Sequence, residues 1–348
     1  MQKLLRMILI TAAIWAGPAN AAFTNLSILG DSLSDTGNLA GALYQATLGL
    51  VSIPGPPYAG GRFSNGPIWV DYFKAMRPGV AITNYAVGGA FTGNINGRDN
   101  AGDDELAAIP IFGGSLAAAA TGLNSQLAAV PVVSGNDTAF LLWIGANDIN
   151  TATDLGFTKP QDVVPIALGN VINTLGTLLF GRGATQIYVV NLPDLGRTPR
   201  GLTSGIANDL SQATMAFNSI LMEIANNVGP QITLIDAASP FNYIQNHPEL
   251  LGFTDISTPC VDGIFDSSAC SNPSEHLFWD TVHPTTKAHM FVAGALASAL
   301  DGTPLGTGTF AAASVVPLPP AWVLLGSCLF AARLRRYTPT WSRPSFNR

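Results

Sequence analysis

Three sets of residues along this chain carry the groups that acyl transfer uses. Ser32 stands in Gly30-Asp31-Ser32-Leu33, directly after the largely apolar run Leu26–Leu29. Far downstream, Asp280 precedes His283 by three residues in a turn closed by Pro284. An acid at that spacing can accept the imidazole Nδ1–H, aim Nε2 at a serine and stabilise the imidazolium that forms. Ser32 alone is equally a helix cap, because serine is a preferred N-cap. The chemistry also needs oxyanion donors, since losing one typically costs about 10²–10³ in rate. Gly89, at the end of Asn84-Tyr85-Ala86-Val87-Gly88-Gly89, would leave its N–H open to a reacting carbonyl. Asn147, in Gly145-Ala146-Asn147-Asp148, offers a side-chain amide. Glycine and asparagine also dominate ordinary turns. The weight lies in convergence, three turns each holding a group the reaction requires. Asp31 and Asp148 lie beside these groups and would position them through hydrogen bonds. His247, His276 and His289 have no acid at that spacing and read as surface or packing residues.

The elements that must position these residues follow from alternation of short apolar runs with longer helical patterns. Strands are expected over 26–29, 81–85, 139–144, 187–191 and 232–235, several of them continuous apolar runs suited to burial on both faces. Helices are expected over 66–76, 116–129, 161–180, 206–228 and 285–300. That pattern gives an α/β fold, a parallel sheet with helices on both faces. Ser32 would end the first strand and start a helix, and every candidate residue would fall at a strand's carboxyl end or in the last loop, where open parallel sheets keep their ligand crevice. Residues 41–64 and 240–282 read as irregular segments building the rim. Gly-x-Ser-x-Gly does not occur around Ser32, so the nucleophile elbow built on that motif is not in use.

The ends of the chain are patterned differently. Residues 1–21 carry Lys3 and Arg6, an apolar stretch and small residues at Ala19-Asn20-Ala21, the layout of a secretory signal peptide, with a buried first helix as the alternative. Residues 22–300 would be the catalytic domain, and the Gly/Thr/Ala/Ser-rich 301–314 a flexible spacer. In residues 315–336, Val316-Pro317-Leu318-Pro319-Pro320 leads into an uncharged run closed by Arg333, Arg335 and Arg336, an anchor of near-spanning length. Residues 337–348 are a short extension. The leader and the region from Val315 onward hold seven of the 16 Lys and Arg and no acid, leaving the core nine against 22 Asp and Glu, a net of −13. That balance argues against nucleic acid. Cys328 falls in the tail; Cys260 and Cys270 read as a disulfide closing a small loop, with zinc the weaker alternative for want of a Cys-x-x-Cys or close His pair.

Taken together, these blocks resemble the GDSL lipases and esterases of the SGNH hydrolase superfamily, in order across most of 27–284. The resemblance places the nucleophile and first oxyanion donor on Ser32, the second donor on Gly89, the third on Asn147, and the acid and base on Asp280 and His283. Gly61-Arg62-Phe63-Ser64-Asn65-Gly66, Asn191-Leu192-Pro193-Asp194-Leu195-Gly196 and Cys260…Cys270 ahead of Leu277-Phe278-Trp279 are similar to the branch with thermolabile haemolysin and plant-type GDSL lipases. It implies a three-layer α/β/α, flavodoxin-like fold with five parallel strands ordered 2-1-3-4-5, and no cofactor or metal. The tail resembles PEP-CTERM sorting segments in their Val-Pro-Leu-Pro variant, which implies a temporary membrane anchor and a sorting protease. The expectation is an exported serine esterase or lipase acting on lipid or short acyl esters. The alternatives are an acetylesterase acting on exopolysaccharide and a non-catalytic surface protein.

Overall fold

A computed structural model of the chain describes residues 23–93, 122–264 and 266–300. The expectations for the leader (1–21), spacer (301–314), anchor tail (315–336) and extension (337–348) lie outside the described residues.

Five parallel strands form the central sheet: β1 (Asn25–Gly30), β2 (Ala81–Asn84), β3 (Thr138–Trp143), β4 (Ile187–Val190) and β5 (Ile232–Ile235), in the order β2-β1-β3-β4-β5. Leu26, Ile28, Leu29 and the whole of 139–143 are buried, because β1 and β3 are flanked by strands on both edges and covered on both faces. At the sheet edge, β2 instead alternates exposed and half-buried residues. β1 and β3 stay in register to Gly30 opposite Trp143, so both carboxyl ends open at the same level.

Around the sheet lie α1 (Asn38–Ala46), α2 (Trp69–Met76), α3 (Leu123–Ala129), α4 (Ala146–Asn150), α5 (Val164–Gly176), α6 (Pro199–Thr203), α7 (Ala207–Val228), α8 (Ala238–Asn246) and α9 (Thr286–Leu300). On α7, Leu210, Ala213, Phe217, Leu221 and Ile224 form the buried stripe at helical spacing. α2 packs on α9, and α5 on α7, giving the α/β/α sandwich that the resemblance implied.

Several boundaries differ from expectation. The helix expected from residue 66 begins at Trp69: Pro67 disfavours the helical conformation at Gly66 before it, and the extended Ile68 is the N-cap, its N–H taken by Asp71. The helix expected over 116–129 is seen as Leu123–Ala129, with 116–121 outside the described residues. The run 161–180 divides into a 3₁₀ turn (Pro160–Val163), α5 with Pro165 in its first turn, and a π-helical turn (Thr177–Gly181). Ser32 does not start a helix: it lies in a tight turn, and α1 begins at Asn38. That helix enters the 41–64 stretch expected to be irregular. The stretch 240–282 likewise holds α8, whose Pro240 falls in the first turn where proline is tolerated. It also holds a parallel pair, β6 (Asp255–Pro259) and β7 (His276–Phe278).

Candidate active site

The turn after β1 is built by two aspartates. Asp31 Oδ1 accepts the Leu33 N–H at 3.0 Å, while its carbonyl accepts from Ser34 and Asp35. These bonds curl residues 31–35 around Ser32, which is only 6% exposed. Asp35, wholly buried, serves as the cap that α1 lacks at Gly37, taking the N–H groups of Gly37, Asn38 and Leu39. The same carboxylate accepts the Gly88 N–H at 2.8 Å and so ties the Ser32 turn to the turn that carries Gly89. Asn38 Nδ2 adds bonds to the carbonyls of Asn84 (3.0 Å) and Ala86 (2.8 Å), and Asn84 Nδ2 returns one to Ser34 O (2.7 Å). Spacing along the sequence gave no hint of this stitching, although Asp35 two residues before a glycine is a signal for an Asx-type cap.

Asp280 and His283 arrive from the loop after β7. His283 Nε2 is 2.7 Å from Ser32 Oγ, and Nδ1 is 2.6 Å from Asp280 Oδ2. Asp280 is 2% exposed, and burial, the largest influence, would raise its pKa. The adjacent His283 and the N–H groups of Val282 and His283 outweigh it, so the carboxyl is held below the ordinary value and stays ionised. The geometry can pass a proton from hydroxyl to imidazole and hold the resulting charge.

Across the crevice, Gly89 has φ +75°, a conformation glycine adopts without strain. Among the described residues, neither the Ser32 nor the Gly89 N–H donates to a protein acceptor. Asn147 projects from α4, entered through Gly145 at φ +115°, where a Cβ would also lie 2.6 Å from Phe217 Cζ. One Asn147 amide hydrogen is used on Ala90 O at 3.0 Å, which orients the group and leaves the other hydrogen for a ligand. Ser32, Asn147, Asn150 and His283 line the crevice with the apolar Leu33, Leu195, Phe241 and Phe278.

Beneath it lie two buried carboxyls. Burial pushes Asp31 up to about 7, against the Leu33 N–H and His283, with Asp148 pushing the same way. Burial also raises Asp148 to about 6, although both its oxygens accept from Thr92, the hydroxyl at 2.6 Å and the N–H at 3.1 Å. Asp31 Oδ2 has no hydrogen-bond partner among the described residues. His289 is a packing residue on α9, 1% exposed, driven down to about 3 by burial and so neutral. His247 and His276 lie away from the crevice, His276 with Nδ1 4.0 Å from Asp255. Cys260 and Cys270 are joined as a disulfide behind Trp279. No His/Cys/Asp/Glu cluster suited to a metal occurs among the described residues. Two side chains not singled out from sequence complete the surroundings: Tyr58, whose hydroxyl meets Asp280, and Gln126, which meets Gly30.

A profile of GDSL-like lipase/acylhydrolases matches residues 26–296. Phosphatidylcholine-sterol acyltransferase of Aeromonas hydrophila is 26% identical over 81% of this chain and 91% of its own length. The thermolabile hemolysin of Vibrio parahaemolyticus is 28% identical over 76% of this chain, which spans 61% of the hemolysin. A GDSL esterase/lipase of Arabidopsis thaliana is 26% identical over 80% of this chain and 91% of its own. Among solved structures, an acetylxylan esterase from Geobacillus stearothermophilus aligns over 82% of this chain and 96% of its own, at 15% identity and a TM-score of 0.42. The chain belongs to the GDSL-like lipase/acylhydrolase family and is a carboxylic ester hydrolase.

Proposed function

We propose that Ser32 is the nucleophile of an exported esterase or lipase, with His283 its general base and Asp280 the acid that orients it. One observation carries this reading: the unbroken chain from Ser32 Oγ through both nitrogens of His283 to Asp280, at 2.7 and 2.6 Å. His283 takes the Ser32 proton as Oγ attacks the ester carbonyl. The Ser32 and Gly89 N–H groups and the Asn147 amide hold the oxyanion. His283 then protonates the departing alcohol, and a water activated by the same imidazole releases the acid from the acyl-enzyme. The scheme needs no cofactor.

The substrates in this reading are lipid or short acyl esters. The apolar crevice walls support it, as does the phosphatidylcholine in the name of the Aeromonas relative. Export rests on the pattern of residues 1–21, and a transient membrane anchor removed by a sorting protease on that of residues 315–336. The destination is the periplasm, the cell surface or the medium.

The test is hydrolysis of p-nitrophenyl esters from acetyl to palmitoyl by the full chain and by Ser32→Ala. The substitution should remove about 10⁴-fold or more of kcat. Comparable turnover by the variant would end the serine mechanism. The chain-length profile separates a lipase from an acetylesterase of polysaccharides.

A further inference from the structure

Asp280 is a buried carboxylate whose two oxygens each accept two hydrogen bonds. Oδ1 takes the N–H of Val282 at 2.9 Å and that of His283 at 2.7 Å. Oδ2 faces His283 Nδ1 at 2.6 Å and also accepts from the Tyr58 hydroxyl at 2.8 Å. Three of these donors belong to the Asp280–His283 turn itself. Tyr58 comes from a loop 222 residues earlier in the chain. Its ring is 5% exposed and meets Trp279 edge-on, with centroids 5.9 Å apart, and Phe63 at 6.5 Å. Phe63 in turn lies 5.0 Å from the His283 ring. A phenol held between the neighbour of the acid and the ring beside the base cannot swing its hydroxyl away without breaking that packing.

We propose that Tyr58 is a positioning residue for the proton relay, its hydroxyl pinning the Asp280 carboxylate and moderating the charge that carboxylate turns on His283. This rests on the Ser32–His283–Asp280 reading above. The O–H donor fixes which lone pair of Oδ2 is left for Nδ1–H, and so fixes the imidazole plane. It also draws negative charge off the oxygen facing the imidazole, so the carboxylate holds the protonated ring less tightly. Asp31, beneath the crevice, also acts electrostatically on His283, whereas the buried His289 on α9 is neutral across the profile. Both stay in place when only the phenol oxygen is removed, so they cancel in the comparison.

The experiment is the pH profile of kcat/KM for the full chain and for Tyr58→Phe, which keeps the ring and loses the hydroxyl. The acid limb should move to higher pH by about half a unit or more, with kcat down several-fold and KM changed by no more than about twofold. A lower melting temperature with the limb unmoved would mean packing alone and would overturn the proposal. If Tyr58→Phe does not fold, incorporation of 3-fluorotyrosine keeps every ring and strengthens the phenol as a donor. The limb should then move to lower pH, and an unmoved limb again overturns the proposal. Ser32→Ala measured alongside separates the failures. Turnover that survives in it defeats the triad reading, whereas an inactive Ser32→Ala with an unmoved limb defeats only the role of Tyr58.

Discussion

Gln126 completes the sheet where β1 runs beyond its neighbour. Ladder pairing with β2 ends at Ile28, and the chain beyond β2 then gives Gly30 one bond, the Val87 N–H donating to Gly30 O at 3.2 Å, and no acceptor for its N–H. From α3, Gln126 Oε1 accepts the Gly30 N–H at 2.9 Å and Nε2 donates to Gly30 O at 2.8 Å, with the side chain 3% exposed. One side-chain amide thus supplies the acceptor that the chain beyond β2 does not offer the Gly30 N–H, two residues ahead of Ser32. Gln126→Leu should leave the buried Gly30 N–H without an acceptor, a cost of about 1–3 kcal/mol. At this chain length that corresponds to a melting temperature lower by roughly 2–5 °C. Calorimetry reads it directly, and a melt within a degree of wild type would contradict it. Activity should fall as well, because the Ser32 turn loses its anchor.

Gly88 gives a steric route to the same site. A Cβ there would lie 2.2 Å from Phe63 Cε2, and Phe63 packs against the His283 ring. Gly88→Ala should therefore displace Phe63 and disturb the imidazole it supports. The expected result is a fall in kcat of about tenfold or more with a smaller change in KM, since misplacement of a reacting group acts mainly on the chemical step. Trimming Phe63 to leucine in the same chain should recover part of the loss. No recovery would place the damage elsewhere.

Removing the Asn147 amide forfeits its bond to Ala90 O, about 1 kcal/mol of stability that a melting curve reads apart from activity. Asn147→Ala should lower kcat by about 10²–10³ with little change in KM, the pattern of a donor used only in the transition state. A variant that loses affinity but keeps kcat would make Asn147 a substrate-binding group instead.

Asp31 ties stability to pH. Folded, it keeps its proton to about pH 7, whereas an unfolded carboxyl loses it near 3.9. Between those values the folded state binds more protons, so stability falls as pH rises from about 4 through about 7. Asp148, raised to about 6, adds the same trend over a narrower window. Asp31→Asn keeps an oxygen for the Leu33 N–H and carries no charge. It should melt near wild type at pH 5, several degrees above it at pH 8, and retain only the shallower slope due to Asp148. Parallel melting curves from pH 5 to 8 would remove Asp31 from the account.

What sequence could say of this molecule followed the range of its signals. The strands were legible to within a residue or two, because β1, β3 and β4 are buried on both faces and read as apolar runs. The motif residues followed, since a parallel sheet delivers its strand ends to one edge. Gln126 and Tyr58 were not legible: their partners are 96 and 222 residues away, and no local periodicity marks a glutamine inside a helix or a tyrosine in a proline-rich loop. The rim was misjudged for a similar reason. β7 has three residues, too few for an alternation, and is held by its pairing with β6 and by Thr285 N–H on Leu277 O.

The disulfide should matter to the site as much as to the fold. Cys260 and Cys270 close a loop at sequence separation 10, and the chain-entropy account of such a loop gives about 2.7 kcal/mol. Cys260 N–H and Val261 N–H both donate to Trp279 O, at 3.0 and 2.8 Å, and Trp279 is the residue before Asp280. Cys260, Val261 and Trp279 also pack with Tyr58 in one buried cluster. Loosening the loop therefore releases the backbone that presents the acid and the ring that donates to it. Cys260→Ser/Cys270→Ser should melt roughly 4–5 °C below wild type and, at temperatures where it is still folded, show a lower kcat with KM nearly unchanged. Reduction of the wild type should reproduce both effects, and reoxidation should reverse them. Stability lost without any change in kcat would confine the disulfide to the fold and leave the Trp279–Asp280 backbone to be held by β7 alone.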